Sequence, residues 1–313
     1  MQSRDAKTTV AVTSLISVAV LGVSMLVISV CFEPATARQD TKTTPASPPD
    51  ERRASSAETS IEELRAGKNF IPTTVYNAEA DEQILKLFEG LRVADVSDGM
   101  DKAGLTNIGL MSPEIHAAWK DTRHYMHRFI GIAVTVRYVP TNKPPAPAME
   151  TEAFNSWVGQ WYGALSSEPF VPLIRKGTAL VFDDAPNSDV GTIGSNNIMG
   201  WRMRGCAGVV TNTTARDTDE IATEKIPLYF REPGRGIRPG RNEVESVNRP
   251  IVCGGVLVEP GDVIVADGDG VIVVPRGQAK QVAEYAKATL DKDKAGRRKL
   301  YEKLGLPPDD SVK

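Results

Sequence analysis

The residues best suited to chemistry lie in Asn212-Thr213-Thr214-Ala215-Arg216-Asp217, directly after the strand-like run Gly208–Thr211. A guanidinium fork next to a carboxylate at a strand's C-terminal edge can do two jobs: the Arg grips a carboxylate bidentately, and the Asp holds a hard cation. Taken alone, an Arg-Asp dipeptide is more often a surface ion pair, so its surroundings decide. One strand earlier, Asp183 and Asp184 end a run of buried character and either face the same cleft or shape a turn. Between the two lies the glycine-rich loop Gly191-Thr192-Ile193-Gly194-Ser195-Asn196-Asn197, running into a helix. The free amides of such a helix start suit a carboxylate or an enolate oxygen. Any metal here must be held by oxygen. The three histidines (His116, His124, His127) and three cysteines (Cys31, Cys206, Cys253) show no zinc-type spacing.

Other features read more plainly. Asp267-Gly268-Asp269-Gly270 opens like a calcium loop but lacks the downstream acidic ligand, so it reads as a β-turn. Gly234-Arg235-Gly236-Ile237-Arg238-Pro239-Gly240 is not a GxGxxG after a strand, so it does not read as a dinucleotide fingerprint. His124 and His127 have no third ligand and read as surface or packing residues, and Trp157, Trp161 and Tyr162 at helical spacing read as core.

The elements that must position these groups follow from periodicity. Glu79–Leu91 has the apolar spacing of one helix face, and Asp95–Met100 begins a second short helix with Ser97 or Asp98 as its cap. Phe129–Tyr138 is a buried strand, and Glu152–Leu165 a helix beyond a proline-rich loop. Leu173–Asp184 is a turn and a strand; with the glycine loop, a helix to Arg204 and the strand Gly208–Thr211 it makes a βαβ-like unit. Phe230–Arg249 holds five arginines without periodicity and reads as a solvated or subunit-contacting loop. Ile251–Val258, Val263–Ala266 and Gly270–Val274 form a tight meander, and Gln278–Leu304 a charged amphipathic helix. So many closely spaced strands late in the chain argue against a pure doubly wound sheet.

With 313 residues and 41% hydrophobic content the chain can bury a large core, organised as one sizeable domain. Its 37 basic and 40 acidic side chains leave a net charge of −3, which excludes the basic footprint of a nucleic-acid binder. Thr9–Phe32 is apolar, preceded by Arg4 and Lys7 and followed by Ala35-Thr36-Ala37, the pattern of an export signal. It is also long enough to span a bilayer, so residues 1–38 read as a cleaved signal peptide or a membrane anchor. Either places the protein outside the cytoplasm, periplasmic or membrane-anchored. Cys31 stands in a sequence resembling a lipoprotein box, although Val30 before it is bulkier than usual. Residues 39–68 read as a disordered linker and 69–313 as the catalytic domain. Cys206 and Cys253 both sit in apolar strand contexts and read as buried free thiols.

The order of motifs then resembles a known family. Asp95–Met100 (DVSDGM), Gly131–Val136 (GIAVTV), Lys176–Asp184 (KGTALVFDD), Gly194–Asn197 (GSNN), Gly205–Asp217 (GCAGVVTNTTARD), Ile226–Phe230 (IPLYF) and Cys253–Pro275 are similar, in sequence and spacing, to the RraA-like superfamily. That superfamily includes the 4-hydroxy-4-methyl-2-oxoglutarate and 4-carboxy-4-hydroxy-2-oxoadipate aldolases.

The resemblance implies an α/β fold, a swivelling β/β/α three-layer domain with a C-terminal helix, assembled as a homotrimer or hexamer with sites between subunits. It implies a divalent-metal-dependent lyase, an aldolase or decarboxylase, acting on a small-molecule 2-oxo acid through a pyruvate enolate, with Mg²⁺ or Mn²⁺ as cofactor. Arg216 takes the role of binding the pyruvyl part, Asp217 that of metal ligand, and Gly194, Ser195, Asn196 and Asn197 that of the loop whose amides meet the pyruvate carboxylate. Asp293 is the nearest match to the carboxylate that a neighbouring subunit's C-terminal helix supplies to order metal waters. Two departures stand out. The aldolases carry an acidic residue directly after the loop glycine, where this chain has Ser195, and they read Asp-Gly where it has Thr211-Asn212-Thr213. Loss of that carboxylate removes a potential acid/base group. It leaves open a second reading: an exported RraA-like binding or regulatory protein with altered chemistry.

Overall fold

The computed structural model describes residues 60–68, 70–184, 189–309 and 311–312. The apolar run Thr9–Phe32, the Ala35–Ala37 pattern, Cys31 and most of the 39–68 stretch lie outside the described residues. The chain divides into two units, Met1–Ala66 and Gly67–Lys313. The described part of the first holds one short helix, α1 (Ile61–Arg65), closed by a capping box between Ser60 and Glu63. Among the described residues no helix is long and apolar enough to cross a membrane.

The second unit begins with helices α2 (Ala78–Phe88) and α3 (Val93–Lys102). The short strand β1 (His116–Ala117) and the long strand β2 (Phe129–Pro140) follow, then α4 (Thr151–Ala164). Next come β3 (Thr178–Asp183), α5 (Ser195–Met203), β4 (Cys206–Thr211), β5 (Thr214–Ala215) and α6 (Thr218–Thr223). The remaining strands are β6 (Leu228–Phe230), β7 (Glu232–Pro233), β8 (Asn242–Val247), β9 (Ile251–Cys253), β10 (Val256–Val258), β11 (Val263–Asp267) and β12 (Gly270–Val274). The chain then enters the long helix α7 (Ala279–Leu304).

The main sheet runs β1-β6-β4-β3-β2-β11-β12, with β8 paired to the far half of β2. Strands β2, β3, β4 and β6 are mutually parallel, and β11, β12, β8 and β1 pair antiparallel. The outer strands β1 and β12 approach each other, so the sheet is nearly closed. Alternation along its strands then sorts side chains to two sides. Ala179 and Val181 of β3 join Phe129, Val210 and Tyr229 inside, against the separate β9–β10 hairpin. Leu180 and Phe182 point outward, to Ile198 and Trp201 of α5 and Ile221 of α6. On the other flank Ile132, Val263, Val265 and Ile272 pack under α2, α3 and α7. Hairpin, sheet and helices give the mixed α/β layering that the resemblance implies, with the C-terminal helix in place. Each aliphatic side chain so buried contributes about 1.5–3 kcal/mol.

Local chemistry explains where the elements differ from expectation. Helix α3 is capped neither by Ser97 nor by Asp98: it starts at Val93, where Asp95 accepts from the Arg92 amide at 3.0 Å and Asp267 from the Val93 amide at 2.9 Å. Gly99 of the same helix lies against α7, and a Cβ there would stand 2.6 Å from the Val282 carbonyl oxygen. The Ile251–Val258 run is two strands, because Gly254 and Gly255 both take positive φ (57° and 81°) and turn the chain in a tight hairpin. The arginine-rich segment is not a loop throughout: Asn242–Val247 forms β8, and Arg238 is only 5% exposed. Asp267 closes the β11–β12 turn by accepting from the Asp269 amide at 2.9 Å, which is the β-turn that DGDG suggested. His124 and His127 share no helix face; His127 is buried and its Nδ1 accepts from the Asp121 amide at 3.1 Å.

Two outcomes follow from burial. Cys206 and Cys253 are free and buried in different core layers, and desolvation pushes the Cys206 thiol up to about 11. Peptide mapping after treatment with an aromatic disulfide reagent should find both unlabelled in the native chain and both labelled in denaturant. Asp262, buried in the β10–β11 turn, has its carboxyl pushed up to about 6, chiefly by desolvation. A carboxyl whose folded pKa is raised favours the fold when protonated, so its contribution is complete below about pH 4 and is lost as pH rises through about 6. Denaturant titrations should show Asp262→Asn flattening that dependence, by up to about 3 kcal/mol.

Candidate active site at the β3–α5–β4 crossover

Strands β3 and β4 run parallel and in register from Ala179 opposite Gly208 to Phe182 opposite Thr211, with α5 as their connection. Their C-terminal ends therefore lie side by side, and the loop into α5 passes over them. That loop is stitched to the segment after β4. The Arg216 amide donates to the Ile193 carbonyl at 2.8 Å, and Ile193 forms a parallel bridge with Ala215. Glycines make the approach possible. A Cβ on Gly191 would lie 2.5 Å from Arg216 Cβ, and one on Gly194 would lie 2.8 Å from Asp217 Oδ2. Asp217 itself adopts a left-handed conformation (φ 56°, ψ 39°) as it caps α6. Such a conformation costs an L residue about 1–2 kcal/mol, least for Asp and Asn, and it turns the side chain back over the loop.

The charges then converge. Asp217 Oδ2 accepts from the Ser195 amide at 3.1 Å and the Ser195 hydroxyl at 3.4 Å, and Arg216 Nε stands 3.8 Å from the same oxygen. Both side chains are about one-third exposed, 35% and 38%, so they are held from within yet accessible. No hydrogen bond reaches Asp217 Oδ1 among the described residues. The amides of Asn196 and Asn197, in the first turn of α5, have no intrahelical acceptor and face outward with the positive end of the helix. The arrangement can bind an anion between Arg216 and the helix start while presenting a carboxylate oxygen beside it.

The donor set decides what kind of cation fits. Among the described residues no cluster of three His, Cys, Asp or Glu side chains could cage a metal. One accessible carboxylate oxygen does suit Mg²⁺ or Mn²⁺, which keep most of their water and take one or two protein carboxylates plus substrate. It does not suit zinc.

Arg216, Asp217, Gly194, Ser195 and Asn197 are thus brought together, with exposed Asn196 alongside. Asp293 is not. It projects from α7, 53% exposed and 3.5 Å from Arg92, whose closer partner is Asp95; within one chain no contact joins it to Asp217. Asp183 and Asp184 do not face the cleft either. Asp183 accepts from Asn212 Nδ2 at 2.8 Å and pairs with Arg137 at 3.3 Å. Asp184 is buried, accepting from Asn242 Nδ2 at 3.0 Å and from the Thr192 hydroxyl, so it anchors the loop instead.

Sequence spacing missed a second polar group next to the first. Glu168 Oε1 accepts from Asn197 Nδ2 at 2.6 Å and Arg238 Nη2 at 2.7 Å, and Oε2 accepts from the Trp201 indole at 3.0 Å. Arg238 also donates to the Tyr138 hydroxyl at 2.7 Å and lies over the Tyr162 ring. Glu168, Asn197 and Arg238 line, with Ser166 and Ser167, a cavity of about 410 Å³. Tyr162 borders it, whereas Trp161 is core, as expected, with its indole donating to the Asn242 carbonyl at 3.1 Å. No motif joins positions 168 and 238; only the fold does.

Comparison with known proteins identifies relatives of this chain. A relative from Halalkalibacterium halodurans is 32% identical over 123 residues, 39% of this chain and 58% of its own length. A 4-hydroxy-4-methyl-2-oxoglutarate aldolase of Thermus thermophilus is 31% identical over 102 residues, 32% of this chain and 60% of its own. Protein DlpA of Legionella pneumophila is 26% identical over 228 residues, 69% of this chain but 32% of its own. The chain thus spans at most about three fifths of these relatives. Among solved structures, an uncharacterized protein from Pseudomonas syringae superposes with a TM-score of 0.54 at 24% identity, covering 76% of this chain and 97% of that one. Streptomyces coelicolor RraAS2, described as an unusual member of the RNase ES inhibitor RraA protein family, gives 0.54 at 20% identity, covering 72% and 99%. The RraA-like aldolase/RraA family model matches residues 93–273, from the start of α3 to β12, and the chain belongs to that family.

Proposed function

We propose that the protein is a carbon–carbon lyase that cleaves a 2-oxo acid through its pyruvate enolate, with Mg²⁺ or Mn²⁺ as cofactor. The observation that carries this reading is the seating of Arg216 and Asp217 side by side, 3.8 Å apart and accessible, over the first turn of α5. Asp217 would hold the hydrated cation, which when bound supplies a Lewis acid to the keto and carboxylate oxygens of the substrate. The protein's own groups do the rest. Arg216 presents a fixed positive charge where oxygen charge grows as the bond breaks. The Asn196 and Asn197 amides receive the pyruvyl carboxylate, and the Ser195 amide and hydroxyl hold Asp217 by Oδ2, which leaves Oδ1 for ligand.

In the retro-aldol direction the C3–C4 bond breaks and its electron pair remains on C3. The C4 hydroxyl becomes the carbonyl of the leaving product and gives its proton to solvent, and C3 takes one proton up. In decarboxylation of oxaloacetate the departing carbon leaves as CO₂ and the same enolate remains. The neutral Ser195 stands in place of an acid, so that position supplies no carboxylate to take the hydroxyl proton. That favours an alternative in which the fold serves as a binding module. Assembly as a trimer or hexamer, with Asp293 of each α7 facing a neighbouring copy's site, belongs to the same proposal.

Pyruvate release from oxaloacetate and a panel of 4-hydroxy-2-oxo acids should require Mg²⁺ or Mn²⁺ and stop with chelator. Arg216→Ala should lower kcat/KM by about 10²–10³, the usual loss for one charge-stabilising donor. Asp217→Asn should abolish turnover at any Mg²⁺ or Mn²⁺ concentration, with thermal unfolding within a few degrees of the parent. Inactivity of the parent across the panel would favour the binding module.

A further inference from the structure

The cavity bordered by Tyr162, Ser166, Ser167, Glu168, Asn197 and Arg238 has no part in enolate formation, yet it adjoins the groups that do. Asn197 belongs to both. Its Nδ2 donates to Glu168 at 2.6 Å, and its Oδ1 lies 3.6 Å from where a Gly194 Cβ would stand. A substrate whose pyruvyl end lies on Arg216 and the α5 amides therefore has this cavity available for its remaining carbons.

The cavity's charge is set by one internal pair. Arg238 and Glu168 are 2.7 Å apart, with side chains 6% and 21% exposed. Both Glu168 oxygens are committed, Oε1 to Arg238 and Asn197 and Oε2 to Trp201, and Arg238 spends its other terminal nitrogen on Tyr138. The pair is neutral as a unit. A carboxylate entering the cavity would have to draw Arg238 from Glu168, leaving a desolvated acid without its partner. What stays available is uncharged: the Tyr162 and Ser167 hydroxyls have no hydrogen bond among the described residues.

We propose that this cavity receives the part of the substrate beyond C4 and selects an uncharged tail bearing hydroxyl or carbonyl oxygens against a carboxylated one. The product released with pyruvate is then a neutral aldehyde or ketone. Atoms and electrons balance as in the retro-aldol step above, without an oxidant or reductant. This inference rests on the 2-oxo acid lyase reading, and Glu168 acts in it as a positioning residue that keeps Arg238 occupied.

The test uses the full chain with Mg²⁺. Deuterium exchange at the methyl group of pyruvate measures enolate formation without involving the cavity. Cleavage of 4-hydroxy-2-oxo acids that share C1–C4 and differ in tail, polyhydroxylated against carboxylated, measures selectivity as a ratio of kcat/KM. The neutral tail is expected to lead by about tenfold or more. Glu168→Gln, which frees Arg238, and Ser167→Lys, which adds a cation to the wall, should each move the ratio toward the carboxylated tail by about tenfold. Each ratio is taken within one variant, so a loss of folded protein cancels, and Ser167→Lys removes no hydrogen bond if Glu168→Gln disrupts the Trp201 contact. Exchange with an equal or higher rate on the carboxylated tail overturns the cavity's role alone. Absence of exchange overturns the lyase reading and this proposal with it.

Discussion

Everything at the site depends on one pair of stitches across the β3–β4 crossover: the Arg216 amide to the Ile193 carbonyl, and the Ser195 amide to the Asp217 carboxylate. The first holds two loops in register as though they were strands. The second ties the start of α5 to the start of α6 through Asp217, whose backbone is left-handed. A charged acceptor on a helix amide is about twice as strong as a neutral bond. It also places the negative group where the α5 dipole favours it. Positioning and electrostatics are thus one feature.

The layers beneath supply rigidity. Strands β3 and β4 are buried on both faces, by the β9–β10 hairpin inside and by α5 and α6 outside. A strand so enclosed cannot shift without exposing apolar surface on one side. Asp183 and Asp184, at its end, grip Asn212, Asn242 and Thr192 instead of ligand. Their place in the molecule is to keep the loop above them still.

A serine at position 195 keeps that position uncharged without emptying the site of contacts. A carboxylate at that position would repel Asp217, whereas the serine hydroxyl donates to it at 3.4 Å. The neighbouring Glu168–Arg238 pair carries no net charge either. Together they leave Arg216 as the positive group facing the accessible part of the site and Asp217 as the negative one, a simpler field than a cluster of acids would create.

Much of this was legible in the chain itself. The 2.0 and 3.6 periods located the strands and helices, because burial on one face imposes those spacings wherever it occurs. The Arg216-Asp217 dipeptide and the Gly194–Asn197 loop were visible for a related reason: chemistry built on adjacent residues and on glycine-dependent backbone leaves a local trace. The cap on α3 was misread because a distant partner, Asp267, outcompeted the local candidates, and the hairpin turn at Gly254-Gly255 was passed over inside an apolar run that reads as one strand. The Glu168–Arg238–Asn197 group, the burial of Arg238 and the structural employment of Asp183 and Asp184 belonged to tertiary structure alone. Ion pairing across seventy positions has no sequence period, and whether a carboxylate faces water or an asparagine is decided only when the strands beside it are laid down.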